Sequence, residues 1–362
     1  MSKGRRAFRV IDTGVREGRR QIAFDQAMID LHRDGMVRDS VRFLRFQPSA
    51  LVGRHQSIGK ELKLDYCREN GIGIVRRITG GGAIYLDPGQ VGWELVISRK
   101  RVPLPTLQDY TKEICEAVAS GLSQAFSIDA RFRPRNDIEV DGRKLCGTGG
   151  FFDGDTLFYQ GTVLVDADPE RVLACLNVPE EKLRKRNLDN ASNRLVTLKH
   201  LMGGVAPEIE SIHEAILRGL SERFGIDFSL EHPSDDEEKL AAKIHDDETG
   251  TDEFVYSIDE RPAQADCGAA TLSGPGGSIT ALVRLEGKEQ ALRIQTVLLT
   301  GDFFVAPPRI LLDLEANLRG VPLDSISGAI DEFFAATRPE LLSLAPGDFK
   351  TVVHAALRTL RP

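Results

Sequence analysis

The sequence contains few cysteines, and no two of them have metal-binding spacing. Five cysteines occur in 362 residues, and none forms the C-x-x-C pattern of a zinc or redox motif. An odd number at irregular spacing also does not fit a disulfide framework. The sequence therefore indicates neither a structural zinc site nor disulfides, and the five positions are Cys67, Cys115, Cys146, Cys175 and Cys267.

The chain also lacks a long apolar run, a secretory signal and an excess of basic residues. No apolar stretch approaches the ~20 residues that a membrane span needs, and the basic N-terminus has no apolar signal-peptide core. The formal net charge is −7, which disfavours broad nucleic-acid binding but leaves room for a local basic pocket. We expect a cytoplasmic protein that binds neither membrane nor nucleic acid.

Standard nucleotide-binding signatures are absent as well. No G-x-x-x-x-G-K-[ST] motif occurs, which excludes a P-loop protein. The stretch from Gly147 to Gly150 resembles part of a dinucleotide fingerprint, but the residues after it, FFDGDTLFYQG, do not have a helical pattern. Any nucleotide must therefore be bound by an architecture other than a P-loop or a Rossmann fold.

The composition is that of a soluble globular protein, with 41% hydrophobic and 28% charged residues. A length of 362 residues suggests two or three domains. Apolar residues recur at helical spacing over residues 106–126 and 207–224, and strand-like segments surround them. The acidic segment 232–252 has few large apolar residues, which is typical of a solvated linker or a short exposed helix.

The last third of the chain has the pattern of a small α+β domain. A hairpin is predicted to turn near Gly287, and helices are predicted at about 308–319 and 324–336. We therefore place a boundary near residue 245, with one domain over residues 1–245 and a second over 246–362.

The most distinctive local feature is the segment RRITGGGAIYLD, which begins at Arg76. Three successive glycines between apolar strands let the backbone approach a ligand closely and turn its N–H groups inward. Arg76 and Arg77 carry guanidinium groups that suit phosphate or carboxylate. From local composition alone, a flexible turn beside a solvated basic pair explains the segment equally well.

A second feature lies about sixty residues further on, in NDIEVDGRKLCGTGG. Asn136 and Asp137 precede a turn at Asp141, and Lys144 follows between glycine-rich stretches. A lysine in this position could place its ammonium against a phosphate or a carboxylate. The alternative is a hairpin turn with an exposed lysine. The two features together favour a shared anion site.

These motifs resemble those of the lipoate–protein ligase A family. RRITGGGAIYLD is similar to the family's lipoate-binding loop RRxxGGGAVxHD, and NDIEVDGRKLCGTG to its ND…GRKxxG segment. LFYQGTVLVDAD is similar to the family's HGTLL strand, and RNLDNASNRLVTL falls where the family has its adenylate-binding loop. The order and spacing match, and the resemblance covers most of residues 20–225.

The resemblance implies a fold, a reaction and a set of site residues. The fold would be α+β, with a mixed-sheet catalytic domain shared with biotin ligases and a small α+β C-terminal accessory domain. The enzyme would use ATP and Mg²⁺ to adenylate lipoate and pass the lipoyl group to a carrier lysine. Lys144 would be catalytic, while the metal ligands stay unassigned. The implied binding residues are Arg76, Arg77, Gly80, Gly81, Gly82, Ala83, Ile84, Asn136, Asp137 and Lys144.

The sequence departs from the family pattern at two histidines. Leu86 stands at the histidine of the GGGAVxHD loop, and Gln160 at the histidine of HGT. This implies a divergent subfamily and puts a role for those imidazoles in doubt. The carrier could be a glycine-cleavage H-like protein, a dehydrogenase lipoyl domain or a specialised lipoate-binding protein, which the departures favour.

The main rival is a cysteine-dependent octanoyl- or lipoyl-transferase on the same fold, which would form a thioester without ATP. Cys146 lies close to Lys144 in sequence, and Cys175 lies within the apolar stretch RVLACLNV, which favours a buried structural thiol. A biotin ligase lacks support because its GRGRxxR-type loop is absent. A non-catalytic carrier-binding protein of this fold is a further alternative, and the retained Lys144 argues against it.

Overall fold

The structure is a computed structural model that describes residues 5–177, 195–258, 267–274, 277–287, 292–342 and 344–360. None of the helices within these ranges has the length and hydropathy that a membrane crossing requires. The elements of the first 177 residues are β1 (Arg6–Arg16), α1 (Gly18–Arg33), β2 (Ser40–Phe46), β3 (Ser49–Val52), α2 (Ile58–Glu61), α3 (Leu64–Glu69), β4 (Gly73–Arg76), β5 (Ile84–Leu86), β6 (Gln90–Ser98), α4 (Leu107–Phe126), β7 (Arg131–Arg133), β8 (Asp137–Val140), β9 (Arg143–Asp153), β10 (Thr156–Leu164) and α5 (Pro169–Cys175).

The remaining described elements follow the same chain order. They are α6 (Leu198–Leu201), α7 (Ile209–Phe224), β11 (Ile226–Leu230), α8 (Asp235–Ile244), a π-helical turn (His245–Thr249), α9 (Asp252–Val255), β12 (Cys267–Gly274), β13 (Gly277–Glu286), β14 (Arg293–Gly301), β15 (Phe304–Ala306), α10 (Ile310–Leu318), α11 (Ile326–Thr337), β16 (Glu340–Leu342) and α12 (Pro346–Thr359).

Two compact units make up the chain. Unit 1 comprises Met1–Leu51, Glu61–Arg76 and Ile84–Ser257, and unit 2 comprises Val52–Lys60, Arg77–Ala83 and Ile258–Pro362. Two short segments of the N-terminal half, Val52–Lys60 and Arg77–Ala83, thus belong to unit 2. The domain boundary near residue 245 stays a prediction.

Unit 1 is built on an eight-stranded mixed sheet in the order β11-β1-β2-β6-β10-β9-β8-β7. Strands β11, β1 and β2 run parallel, and every neighbouring pair from β2 to β7 is antiparallel. Strand β6 is buried along almost its whole length, as expected for a central strand covered on both faces. The predicted mixed-sheet α+β class is therefore confirmed.

Helices α4 and α7 pack closely because each carries a glycine at the contact. A Cβ at Gly121 would lie 2.0 Å from the Ala215 carbonyl oxygen, and one at Gly219 would lie 2.0 Å from that of Ala117. Side chains at these positions would force the two backbones apart. Both helices match the predictions over 106–126 and 207–224, since their apolar faces carry a strong period of 3.6 residues.

The acidic segment 232–252, predicted as a solvated linker or a short exposed helix, contains a short helix that has many exposed residues but also one packed face. It forms α8, whose Ser234 caps the first turn in a reciprocal pair with Glu237. Glu237 is fully buried, and its Oε2 accepts a bond of 2.9 Å from Nη1 of Arg9. Burial would raise the pKa of Glu237, but the Arg9 hydrogen bonds hold it below its usual range. One face of the segment is therefore packed, because a partner 228 residues away compensates the buried charge.

Unit 2 contains the antiparallel sheet β12-β13-β14 and the short pair β15-β16. Strands β13 and β14 form the predicted hairpin near Gly287, and α10 and α11 match the predicted helices. Apolar side chains from the sheet and from helices α10 to α12 share one core, which includes Phe303 and Phe349. The predicted small α+β domain is confirmed in its element types.

Glu315 on α10 provides a test of how this core responds to pH. Its carboxylate accepts a 2.7 Å bond from the Leu299 amide, and burial raises its pKa to about 7. The folded state therefore binds the proton more tightly than the unfolded chain. As pH rises from the unfolded pKa through 7, the Glu315 carboxyl lowers the free energy of unfolding by an increasing amount. We expect Glu315→Gln to raise the free energy of unfolding by about 2 kcal/mol at pH 8 and by less at pH 5.

The measurement is thermal melting of both proteins across this pH range. Glu332→Gln is the control, because Glu332 is an exposed glutamate on the neighbouring helix α11. A Glu315→Gln gain that did not depend on pH would contradict the role assigned to the buried charge.

Candidate functional site

The triple-glycine loop follows β4 and is held by hydrogen bonds from Arg77. The Arg77 amide donates to the Val52 carbonyl at 2.9 Å, and its guanidinium Nη2 donates to the carbonyl oxygens of Gly80 and Gly82 at 3.2 and 2.9 Å. Arg77 is only 6% exposed, and burial lowers its pKa to about 10, so it is still a cation at neutral pH. The side chain therefore holds the loop in one conformation from inside.

The first two glycines of this loop are required by packing within unit 2. A Cβ at Gly80 would lie 2.1 Å from the Phe303 carbonyl oxygen, and one at Gly81 would lie 2.9 Å from the Phe304 ring. Gly81 also has a φ of +95°, a region that side chains strongly disfavour. Gly82 has only the Asp302 side chain, at 3.9 Å, so the third glycine is the one left with space around it.

Arg76, Ala83 and Ile84 flank this loop. Arg76 ends β4 with a fully buried side chain, and its Nε donates to the Val255 carbonyl at 2.9 Å within unit 1. Ala83 and Ile84 are half-buried, and Ile84 opens β5. A structural function for Arg76 is thus clear, and its predicted contact with a ligand stays a prediction.

Lys144 projects from the hairpin formed by β8 and β9 in unit 1. The turn is made by Asp141 and Gly142, with φ values of 51° and 74°, as a tight Asp-Gly hairpin requires. Lys144 Nζ lies 2.8 Å from Asp137 Oδ1, and the lysine side chain is 35% exposed. The segment is therefore a hairpin turn with a partly exposed lysine, as one interpretation predicts. The same turn holds the ammonium in a fixed position, as the anion-site interpretation needs.

The Asp137 carboxylate forms ion pairs with two cations, Lys144 and Arg133. Burial would raise the pKa of Asp137, but the Lys144 ammonium and the Arg133 guanidinium hold it below its usual range. The carboxylate is therefore ionised throughout the neutral range, and it orients Lys144 while its second cation limits how tightly it binds the first.

Gly147 provides the space in which the Lys144 ammonium rests. It pairs with Asp137 across the hairpin, and an added Cβ would lie 2.5 Å from Lys144 Nζ and 2.7 Å from Cε. The next atom is Asp137 Oδ1 at 3.8 Å, so only these side chains occupy the space. Gly147 belongs to the GRKLCGTGG motif, but nothing in its local sequence signals this function.

The cysteines offer little support for a thiolate nucleophile. Cys67, Cys115, Cys146 and Cys175 are all buried, and Cys267 is partly exposed. Burial raises the pKa of Cys146 far above its usual range and that of Cys175 to about 12. Both thiols are protonated at neutral pH, whereas nucleophilic attack needs the thiolate.

The structure brings Asn136, Asp137 and Lys144 together in unit 1, while Arg77 and the residues from Gly80 to Ala83 belong to unit 2. Leu86 is buried at the end of β5. Gln160 lies on β10 in register with Glu94 and Gly149 of its neighbouring strands. Residues 186–194 of the predicted adenylate-binding loop lie outside the described residues.

No group of three His, Cys, Asp or Glu side chains in the described part of the chain could hold a metal ion. The predicted Mg²⁺ stays a prediction, and an ion bound mainly through nucleotide phosphates would need only one or two protein carboxylates. Asp137 is already engaged by Lys144 and Arg133, so it is a poor metal ligand in this arrangement.

Comparison with protein families gives a match to the lipoyl protein ligase A/B catalytic domain over residues 17–221. The chain is 28% identical over 250 residues to lipoate-protein ligase A subunit 1 of Thermoplasma acidophilum, covering 66% of this chain and 92% of that protein. It is also 23% identical over 276 residues to octanoyltransferase LipM of Halalkalibacterium halodurans, covering 69% and 98%.

Solved structures show the same similarity. A bipartite lipoate protein ligase of T. acidophilum, described with its E2 lipoyl domain, is 26% identical with a TM-score of 0.62, covering 72% of this chain and all of that one. Lipoate-protein ligase A bound with ATP is 26% identical with a TM-score of 0.58, covering 70% and 99%. P. falciparum LipL1 in complex with lipoate covers 98% of this chain and all of its own, with a TM-score of 0.73 at 15% identity, which compares folds alone.

Proposed function

Because the chain belongs to the lipoyl protein ligase A/B catalytic-domain family, we propose that it is an ATP-dependent lipoate–protein ligase. It is an enzyme of the lipoate ligase and lipoyl transferase family, in which relatives of both kinds occur. The observation that carries the ligase proposal is the Lys144 ammonium, held 2.8 Å from Asp137 on a hairpin and one-third exposed. A placed cation suits a reaction in which negative charge builds up on phosphate.

The proposed reaction has two steps. The lipoate carboxylate attacks the α-phosphorus of ATP, so that pyrophosphate leaves and lipoyl-AMP forms; a carrier lysine then attacks the lipoyl carbonyl and AMP leaves. Lys144 bridges the lipoate carboxylate and the α-phosphate, which reduces the repulsion between two anions. Mg²⁺ supplies charge neutralisation on the ATP phosphates.

The remaining predicted residues receive roles that fit their surroundings. Gly82 to Ile84 contact lipoate, since Gly80 and Gly81 are already packed against Phe303 and Phe304. Arg77 acts by holding that loop, because its guanidinium donates to Gly80 and Gly82. Arg76 fixes the end of β4 from its buried position.

A lipoyl-accepting protein is the proposed partner. The Thermoplasma ligase was studied with an E2 lipoyl domain, and an H-like protein or a specialised lipoate-binding protein would present a lysine in the same way. We propose that the C-terminal domain, predicted over residues 246–362, acts as the accessory domain, and the fold likeness to LipL1 over 98% of this chain supports this role.

A cysteine-dependent octanoyltransferase is the second candidate, favoured by the near-complete coverage of LipM. The two functions differ in their need for ATP and for a thiolate. Protonated, buried thiols at Cys146 and Cys175 support the ligase.

We expect ATP, Mg²⁺ and lipoate to suffice for pyrophosphate release, measured with and without each component. Cys146→Ala and Cys175→Ala should keep this activity, since neither thiol takes part. Transfer of an octanoyl group from one carrier protein to another without ATP, lost in either cysteine variant with an unchanged melting curve, would establish the transferase instead.

A further inference from the structure

A chain of buried polar groups runs beneath the lysine hairpin. The Tyr159 hydroxyl lies 2.6 Å from Thr148 Oγ1, and Cys115 Sγ lies 3.5 Å from the same hydroxyl. All three residues are buried, with Tyr159 on β10, Thr148 on β9 and Cys115 on α4. Buried polar groups of this kind are costly unless each is satisfied, so their arrangement is strongly specified.

Thr148 connects this chain to Asn136. Its backbone N–H and its hydroxyl both donate to the Asn136 carbonyl oxygen, at 2.9 and 2.8 Å. In return, the Asn136 side-chain amide donates to the Thr148 carbonyl. Three hydrogen bonds therefore hold Asn136 in place. Two of them occupy both lone pairs of its backbone carbonyl, and the third uses one N–H of its side-chain amide.

The direction of each proton follows from these contacts. Since Thr148 donates its only hydroxyl hydrogen to Asn136, the Tyr159 hydroxyl must donate to Thr148. Burial holds the pKa of Tyr159 well above its usual range, so the phenol keeps the proton it donates. The order of donation is thus from Tyr159 to Thr148 to the Asn136 carbonyl.

The clamped carbonyl belongs to the peptide bond that joins Asn136 to Asp137. Asp137 is the residue whose carboxylate lies 2.8 Å from Lys144 Nζ. Rotation of that peptide would move the carboxylate, and with it the ammonium. The buried chain and the exposed lysine are therefore mechanically connected through one peptide unit.

We propose that Tyr159, Thr148 and Asn136 are positioning residues for Lys144, a role that rests on the proposed function of that lysine. Asn136, which the sequence predicts as a ligand-binding residue, acts on Lys144 through the Asp137 peptide. Tyr159 had no sequence signal, since a tyrosine in an apolar strand is indistinguishable from a core residue.

The test compares Thr148→Val, which keeps the shape but removes the hydroxyl, with Thr148→Ser, which keeps the hydroxyl. We expect Thr148→Val to lower kcat for pyrophosphate release by about 10-fold or more, with KM for lipoate and ATP changed less than about twofold, because misplacement of a reacting group affects the chemical step. Thr148→Ser should restore most of the rate, and Tyr159→Phe should show a smaller loss of the same kind.

A second readout does not depend on catalysis. The rate at which an amine-selective reagent labels Lys144, followed by mass spectrometry, should change in Thr148→Val and return in Thr148→Ser, while labelling of Lys100 stays constant. Unchanged labelling of Lys144 in a folded Thr148→Val protein would overturn the positioning role. Changed Lys144 labelling in Thr148→Val, found together with no pyrophosphate release by the wild-type protein, would keep the positioning role and refute the ligase.

Discussion

Replacement of Lys144 by alanine is expected to lower ATP- and lipoate-dependent pyrophosphate release by about 10³-fold or more. The ammonium is the charge proposed to bridge two anions, and removal of a single preorganised group of this kind typically costs about 10²–10³ in kcat. Lysine also brings the two substrates into one geometry, which adds to the loss. Arg133, the second cation that pairs with Asp137, lies on β7 and is not expected to replace the lysine ammonium.

The variant should fold normally. Lys144 is 35% exposed, and Asp137 retains its ion pair with Arg133, so we expect the free energy of unfolding to change by less than about 1 kcal/mol. Lys100→Ala is the matched control, because Lys100 is also a lysine in an ion pair, with Asp155, and lies in the turn that follows β6. Wild-type pyrophosphate release by a folded Lys144→Ala protein would remove the central element of the proposed mechanism.

Gly147→Ala is expected to reduce the same activity by about 10²-fold with little effect on stability. The new methyl group would occupy the space 2.5 Å from the present position of Lys144 Nζ and would force the ammonium to move by more than 1 Å. The backbone can accept alanine, because Gly147 has no positive φ and the nearest atoms belong to flexible side chains. The substitution should therefore reduce activity by displacing the Lys144 ammonium, while the strand keeps its conformation.

The measurement is steady-state pyrophosphate release together with a melting curve. Gly328→Ala serves as the control, since Gly328 on α11 has open space around it and an ordinary φ. A fully active Gly147→Ala enzyme would mean that the ion-paired position of Lys144 is not the catalytic one. A large loss of stability would instead indicate that the strand, and not the lysine, depends on this glycine.

Local patterns in the sequence determined the element types around the site. The pair Asp141 and Gly142 predicts a tight turn because both residues tolerate a positive φ, and the turn is present. The triple glycine and the Asn-Asp and Gly-Arg-Lys segments pointed to the family that the comparisons confirm. Regular apolar spacing likewise predicted α4 and α7, because the period of a helix is a property of neighbouring residues.

The tertiary structure alone decided which contacts those residues make. Gly80 and Gly81 are needed where Phe303 and Phe304 approach, more than 200 residues later in the chain. The acidic segment packs because Arg9 neutralises Glu237 from 228 residues away. The Lys144 ammonium rests over Gly147 because of a hairpin register. Each of these contacts joins residues whose separation in sequence carries no periodic signal, and the energy of a buried charge or a missing Cβ depends on which atoms the fold brings within a few ångströms.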